Sequence, residues 1–161
     1  METAVQLHSL ALMSSASKPA QPQTLANSRL RKHADYLRAY AAARKRQSAA
    51  MSWFLAPQTI EGAAAPAVAR VGLTVGKVIG KAHERNRVKR RMREALRRHV
   101  DLLPAGFDLI LHPRRVVLTM EFAQLEREIL RILEQAQEQV LAEAARMAKL
   151  AKSAAPGSTA P

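Results

Sequence analysis

Residues 77–98 hold ten basic side chains, Lys77, Lys81, Arg85, Arg87, Lys89, Arg90, Arg91, Arg93, Arg97 and Arg98, against two acidic ones, Glu84 and Glu94. Guanidinium groups grip phosphate oxygens in pairs and stack on bases, and ammonium groups add point charge. Advance about 100° per residue from Arg85, and Val88, Met92, Ala95 and Leu96 fall on one apolar stripe of a helix. Asn86, Arg90, Arg93 and Arg97 then line one side of that stripe, and Arg87, Arg91 and Arg98 the other. A rod docked by such a stripe holds charge outward on both flanks at fixed spacing. That suits the closely spaced phosphates of a folded nucleic acid. Asn86, an uncharged amide among arginines, suits a directed hydrogen bond; its alternative is an ordinary exposed helix position.

The charge is local. The chain has 26 Lys and Arg against 13 Asp and Glu, a net charge of +13. Residues 77–98 supply +8 of it, and residues 29–46, with seven basic residues and Asp35, supply +6. The rest sums to −1. Two concentrated patches point to a polyanionic partner, nucleic acid first and an acidic membrane surface second. If about six phosphates are neutralised, log affinity falls with log salt at a slope of roughly −4 to −5.

A second grouping lies upstream. Tyr36 and Tyr40 are four apart and share a helix face, among Arg31, Lys32, Arg38 and Arg44. Aromatic faces stack bases without much sequence preference. Core packing is the competing use, since the only other aromatics are Trp53, Phe54, Phe107 and Phe122. Strand alternation puts Trp53 with Met51 and Leu55 on one face and Phe54 on the other, one of which is core. Whether Phe54 belongs to core or to a binding surface stays open.

No grouping reads as a catalytic centre or a metal site. His83 and Glu84 are adjacent, so they cannot share a helix face, and His33, His99 and His112 have no partner at ligand spacing. Asp101 and Asp108 read as surface or cap residues. There is no Cys, hence no disulfide and no thiolate site. No apolar run approaches the ~18 residues of a membrane span. The N-terminus lacks a basic stretch before its interrupted apolar part, which makes a poor signal peptide. A cytoplasmic protein is expected.

The elements that must position these groups follow from periodicity and punctuation. Residues 1–27, rich in Ala, Ser, Gln and Pro, read as a disordered extension. Asn27 or Ser28 is placed to cap a helix over residues 31–43. Residues 51–56 and 67–75 read as strands, 83–100 as the basic helix, 107–111 as a buried strand ended by Pro113, and 121 to about 145 as a long helix. A fourth strand is sought in 47–50 or 58–60. Residues 152–161 read as a flexible tail. The division is therefore an extension over 1–27, a folded domain carrying both basic patches over 28–137, and a helix end and tail over 138–161. The fold class is an α+β sandwich: a mostly antiparallel sheet of three or four strands, with helices packed on it in the order α-β-β-(β)-α-β-α.

Residues 71–99 closely resemble the signature of the bacterial ribonuclease P protein family. That family carries a strand, a Gly, then Arg-Asn-x-x-Lys-Arg-x-x-Arg-Glu on a helix. Arg85, Asn86, Lys89, Arg90, Arg93 and Glu94 meet every fixed position, and the strands on either side also match. The resemblance spans roughly residues 29–133. Departures are Gly76, Lys77 and Val78 where Ser-Lys-Lys is frequent, His83 where a small apolar residue is usual, and Ala43 for a common Gly.

The resemblance implies a left-handed β-α-β crossover in the fold, against the usual rule. It implies a protein that does no chemistry itself. Mg²⁺, held mainly by a catalytic RNA subunit, would serve the cleavage that gives the mature tRNA 5′ end. Contacts to that RNA are expected from Lys77, Lys81, Arg85, Asn86, Arg87, Lys89, Arg90, Arg91, Arg93 and Arg97. A cleft for the single-stranded 5′ leader of precursor tRNA is expected at Tyr36, Tyr40 and Phe54, with Arg31 and Lys32. No membrane and no DNA partner is expected. The principal rival is a non-catalytic, ribosomal-type RNA scaffold protein; a major-groove DNA binder and a protein-only nuclease rank below it.

Overall fold

The computed structural model describes residues 24–58 and 68–154. The expected extension therefore lies outside the described residues up to position 23, as does the tail beyond 154. In chain order the elements are α1 (His33–Ala42), β1 (Lys45–Gln47), β2 (Met51–Pro57), β3 (Arg70–Leu73), α2 (Ala82–Arg98), β4 (Phe107–Pro113) and α3 (Phe122–Ala154). This is the expected α+β order with four strands.

The sheet runs β1-β2-β4-β3. β2 pairs antiparallel with β1 and β4, whereas β3 lies parallel to β4. A parallel pair cannot be closed by a tight turn; here α2 makes the crossover. β4 is covered on both faces, so Leu109, Ile110 and Leu111 are buried in succession and the strand reads as an unbroken apolar run. On one side Met51, Trp53, Leu55, Leu109 and Leu111 form the main core with Val88, Met92 and Leu96 of α2 and with Leu125, Ile129 and Leu133 of α3. On the other, α1 covers a smaller cluster of Leu30, Ala39, Ala56 and Ile110. Among the described residues no helix is long and apolar enough to cross a membrane.

Four local expectations are corrected. The fourth strand is Lys45–Gln47, overlapping the proposed 47–50 only at Gln47. It is a short, fully exposed edge strand, and its Lys and Arg are the charges that keep an open sheet edge from pairing with other chains. Asn27 and Ser28 do not cap α1: Lys32 stands at its N-cap without a side-chain bond. Residues 28–30 instead run beside the free edge of β3. The Val71 N–H donates to the Ser28 carbonyl at 2.6 Å, and the Leu30 N–H to the Val71 carbonyl at 2.9 Å. Satisfying that edge outweighs a helix cap. β3 itself is shorter than 67–75. α3 continues to Ala154, past 145 and into the expected tail, on a run rich in the strong helix former Ala.

Candidate nucleic-acid interface

The basic helix α2 is built from its start. Gly80 has φ 146°, and a Cβ there would meet Glu84 Oε2 at 2.0 Å. That close approach lets Glu84 fold back and accept the Lys81 N–H at 2.7 Å. A carboxylate in the first turn also suits the helix dipole. Val88, Met92, Ala95 and Leu96 are all buried, as the periodicity requires. They fix the rotation of the helix about its axis, hence the direction of every cation on it.

The two flanks then differ. Asn86, Lys89, Arg90 and Arg93 have no side-chain hydrogen bond or ion pair with the described residues, and neither do Arg87, Lys77 and Lys81. Arg85 reaches only the Gly80 carbonyl, at 3.5 Å. Arg91, expected to face RNA, is turned inward. Its guanidinium donates to the Val117 carbonyl at 2.8 Å and to that of Met120, tying α2 to the turn before α3. On the flank of Arg87, Arg91 and Arg98 the last two lean on the protein and only Arg87 stays free among the described residues, so the expectation of symmetric open flanks is corrected. Arg97 donates to both Glu94 oxygens, at 2.7 and 3.0 Å. Those bonds hold the Glu94 carboxyl below its ordinary pKa. Arg97 therefore carries a carboxylate with it, although it stays exposed. Arg98 divides between Glu94 and Glu126 and lies over the Phe122 ring. The open face is centred on Asn86, Arg90 and Arg93.

On the opposite side of the sheet the aromatics gather. Tyr40 meets Phe54 edge-on with centroids 5.0 Å apart, and Tyr36 follows at 6.4 Å. Phe54 is half-buried in this group, while Trp53 lies in the main core. Phe54 is thus on the α1 side of the sheet, packed against the smaller cluster and away from the main core. Tyr36 can lie flat against the sheet because residue 72 is Gly; a Cβ there would sit 2.6 Å from its hydroxyl oxygen. That hydroxyl donates to the Leu30 carbonyl at 3.3 Å, and burial raises its pKa. Arg31 bonds the Ala26 carbonyl at 3.3 Å, and Lys32 is exposed beside it.

The sequence reading missed His112 and Thr74. His112 Nε2 is 2.7 Å from the Tyr40 hydroxyl, and Thr74 Oγ1 is 3.2 Å from it. The His112 ring packs 5.2 Å from Phe54. A signal existed: once Ile110 faces α1, period-two alternation sends His112 the same way. Burial, and then the nearby Lys45, lower its pKa, so the folded state favours the neutral ring. Protonation must then cost stability. We expect stability to be fully present above the ordinary His pKa of about 6.5 and to fall as pH drops through the lower folded value. Urea titrations at stepped pH should show that fall diminished in His112→Gln; an unchanged pH dependence would refute it.

Below the aromatics an ion network clamps α1 to the sheet. Arg70 donates to both Asp108 oxygens at 2.8 Å and to Asp35 Oδ2 at 3.2 Å, while Arg38 holds Asp35 Oδ1 at 2.7 Å. Asp108 is thus neither surface nor cap; it is buried at the Arg70 end of the parallel β3–β4 pair. The Asp108 bonds are the main reason the Arg70 pKa is raised. Among the described residues no group of three or more His, Asp or Glu is placed to hold a metal ion.

The two surfaces meet. Arg29, Tyr36 and Arg93 line one small recess of about 60 Å³ between α1 and α2. Fold and site together define a class of small α+β proteins with a basic helix on one face of the sheet and an aromatic cluster on the other. A family model described as Ribonuclease P matches residues 25–137. The ribonuclease P protein component of Chloroflexus aggregans is 37% identical over 109 residues, covering 67% of this chain and 76% of that protein. That of Oleidesulfovibrio alaskensis is 38% identical over 111 residues, covering 63% and 86%. The solved RNase P protein of Thermotoga maritima aligns with TM-score 0.57 and 26% identity, over 66% of this chain and 96% of that one. The chain belongs to the ribonuclease P protein family.

Proposed function

We propose that this chain is the protein component of a ribonuclease P holoenzyme that removes the 5′ leader of precursor tRNA. In this reading α2 binds the catalytic RNA through Asn86, Arg90 and Arg93, with Lys77, Lys81, Arg85, Arg87 and Lys89 adding charge. The leader lies in the cleft of Tyr36, Tyr40 and Phe54, with Arg31 and Lys32 at its rim. The observation that carries the reading is the joining of both surfaces at Arg29, Tyr36 and Arg93, so that one RNA assembly can touch them together. Mg²⁺ belongs to the RNA, which performs the phosphodiester cleavage. The protein's cations lower the repulsion between two polyanions as they meet. The holoenzyme works in the cytoplasm, with no membrane or DNA partner.

The test mixes purified protein with a bacterial ribonuclease P RNA and precursor tRNA at low Mg²⁺ and follows 5′ cleavage. Strong stimulation is expected, with no cleavage by protein alone. RNA binding without stimulation would mark a ribosomal-type scaffold protein instead. Within that assay Tyr40→Ala should weaken leader-bearing substrate about 10-fold, since each stacked base contributes roughly 1–3 kcal/mol. Mature tRNA should be nearly unaffected. Equal losses for both would mean the ring only supports the fold.

A further inference from the structure

One register row crosses the whole sheet on the α1 side. Gly72 of β3 pairs with Ile110 of β4, Ile110 with Phe54 of β2, and Phe54 with Lys45 of β1. Residues paired in this way project from the same face. Tyr36 lies on Gly72, Tyr40 meets Phe54, and the row ends in the exposed Lys45. A second row runs beside it, two residues further along β3 and β4. It starts at Thr74, which prolongs β3 by donating its N–H to the Leu111 carbonyl at 3.0 Å, and continues through His112, Ser52 and Gln47. All four carry hydrogen-bonding side chains. Three strand spacings of about 4.8 Å make each row about 14 Å long. Aromatic rings thus stand over one row, polar groups form the other, and a cation closes the end. The same corner holds a second cation, because the exposed Arg114 donates to Gln47 Oε1 at 2.7 Å.

Neither Lys45 nor Arg114 makes an ion pair among the described residues. Asp35 and Asp108, carboxylates on this side of the sheet, are held by Arg38 and Arg70 across the aromatic row from His112. After burial, the charge of Lys45 is what holds the His112 imidazole below its ordinary pKa, so the ammonium stands close to the cluster. The far end of the rows, at β3, adjoins α2 through the recess that Arg29, Tyr36 and Arg93 share. We infer that the single-stranded leader crosses the sheet at right angles to the strands, from β3 to β1, and that Lys45 and Arg114 take the phosphates of its upstream part. This rests on the proposed function, which puts the catalytic RNA on α2 and hence the scissile bond at the β3 end. Nucleotides further from that bond pass Tyr40 and Phe54 and reach β1 last. Beyond Phe54 no ring remains in the row, so stacking gives way to charge. Cations on an edge strand also deter pairing with other chains, but that use needs no particular face. Arg46, the next residue of β1, projects to the other face, its guanidinium 5.6 Å from the centre of the Trp53 ring. The strand therefore carries its own control.

The test uses holoenzyme reconstituted from the full chain and a bacterial ribonuclease P RNA, with precursor tRNAs whose leaders run from about two to about ten nucleotides. Wild-type affinity should rise with leader length and then level off. Lys45→Ala with Arg114→Ala should leave the shortest leaders within about 2-fold and weaken the longest about 5- to 10-fold, with a salt slope lower by about 1 to 1.5. Arg46→Ala should leave the dependence on length as it is. All three side chains are exposed, so urea midpoints should stay at the wild-type value. A methylphosphonate scan of the leader on wild-type holoenzyme should find upstream linkages whose neutralisation weakens binding. That cost should vanish in the double variant. An equal loss at every leader length, a length-dependent loss in Arg46→Ala, or a methylphosphonate cost that survives the double variant would overturn the path to β1 and leave the cleft of Tyr36 and Tyr40 standing. Wild-type affinity that ignores leader length would sink both.

Discussion

An Arg90→Ala, Arg93→Ala variant is expected to bind the catalytic RNA about 10- to 100-fold more weakly at moderate salt. The log–log salt dependence should flatten by about 1.5 to 2. Neither guanidinium makes an ion pair with a carboxylate of the described residues, unlike Arg97 and Arg98, so both are left to meet phosphate. The informative control is Arg91→Ala. Its guanidinium bonds the Val117 and Met120 carbonyls. Its loss leaves those acceptors unpaired, which costs about 1–3 kcal/mol of stability. The salt slope should stay near that of the wild type. Filter binding across a salt series, paired with urea unfolding, separates the two effects. A double variant whose slope is unchanged would remove α2 from the interface.

The second large effect is on the fold. Arg70→Met should destabilise the protein by about 3 kcal/mol, because it strands the buried Asp108 carboxylate and leaves Asp35 to Arg38 alone. Asp35 and Asp108 have side chains only 8% and 5% exposed. Replacing one partner is worse than replacing both: Arg70→Met with Asp108→Leu should recover much of the loss, with Arg38 still holding Asp35. Urea midpoints at constant m-value measure it. A cost under about 1 kcal/mol would mean that water reaches the site well enough to replace Arg70. The network matters to function through α1, since the helix it clamps carries Tyr36 and Tyr40.

Much of this was readable before any coordinates. The stripe of Val88, Met92, Ala95 and Leu96 is a period-3.6 signal strong enough to place α2 within a residue or two, and the alternation in β2 placed Trp53 and Phe54 on opposite faces. What escaped was whatever depends on a neighbour distant in sequence. Arg91 looks like any other arginine until the turn before α3 is brought against it. Asp108 in an apolar strand reads as an anomaly until Arg70 arrives on the parallel neighbour. His112 has no partner within its own strand; Tyr40 comes from 72 positions away. β1 hid because its charges mimic a solvated stretch, although such charges are what an exposed edge strand carries.

The position of β4 in the sheet has a consequence for how the chain comes together. It is the last strand to be synthesised, yet it is the one to which both β2 and β3 are hydrogen-bonded. Until residue 113 has emerged, β2 has only the three-residue β1 beside it and β3 has no strand beside it at all. Sheet assembly must therefore wait for pairings that span some 40 to 60 positions, such as Leu55 with Leu109, and closing such long loops is slow. During synthesis at about 5–20 residues per second, the nascent protein passes seconds with unpaired strand edges. Prompt delivery of one short hydrophobic segment decides between folding and aggregation.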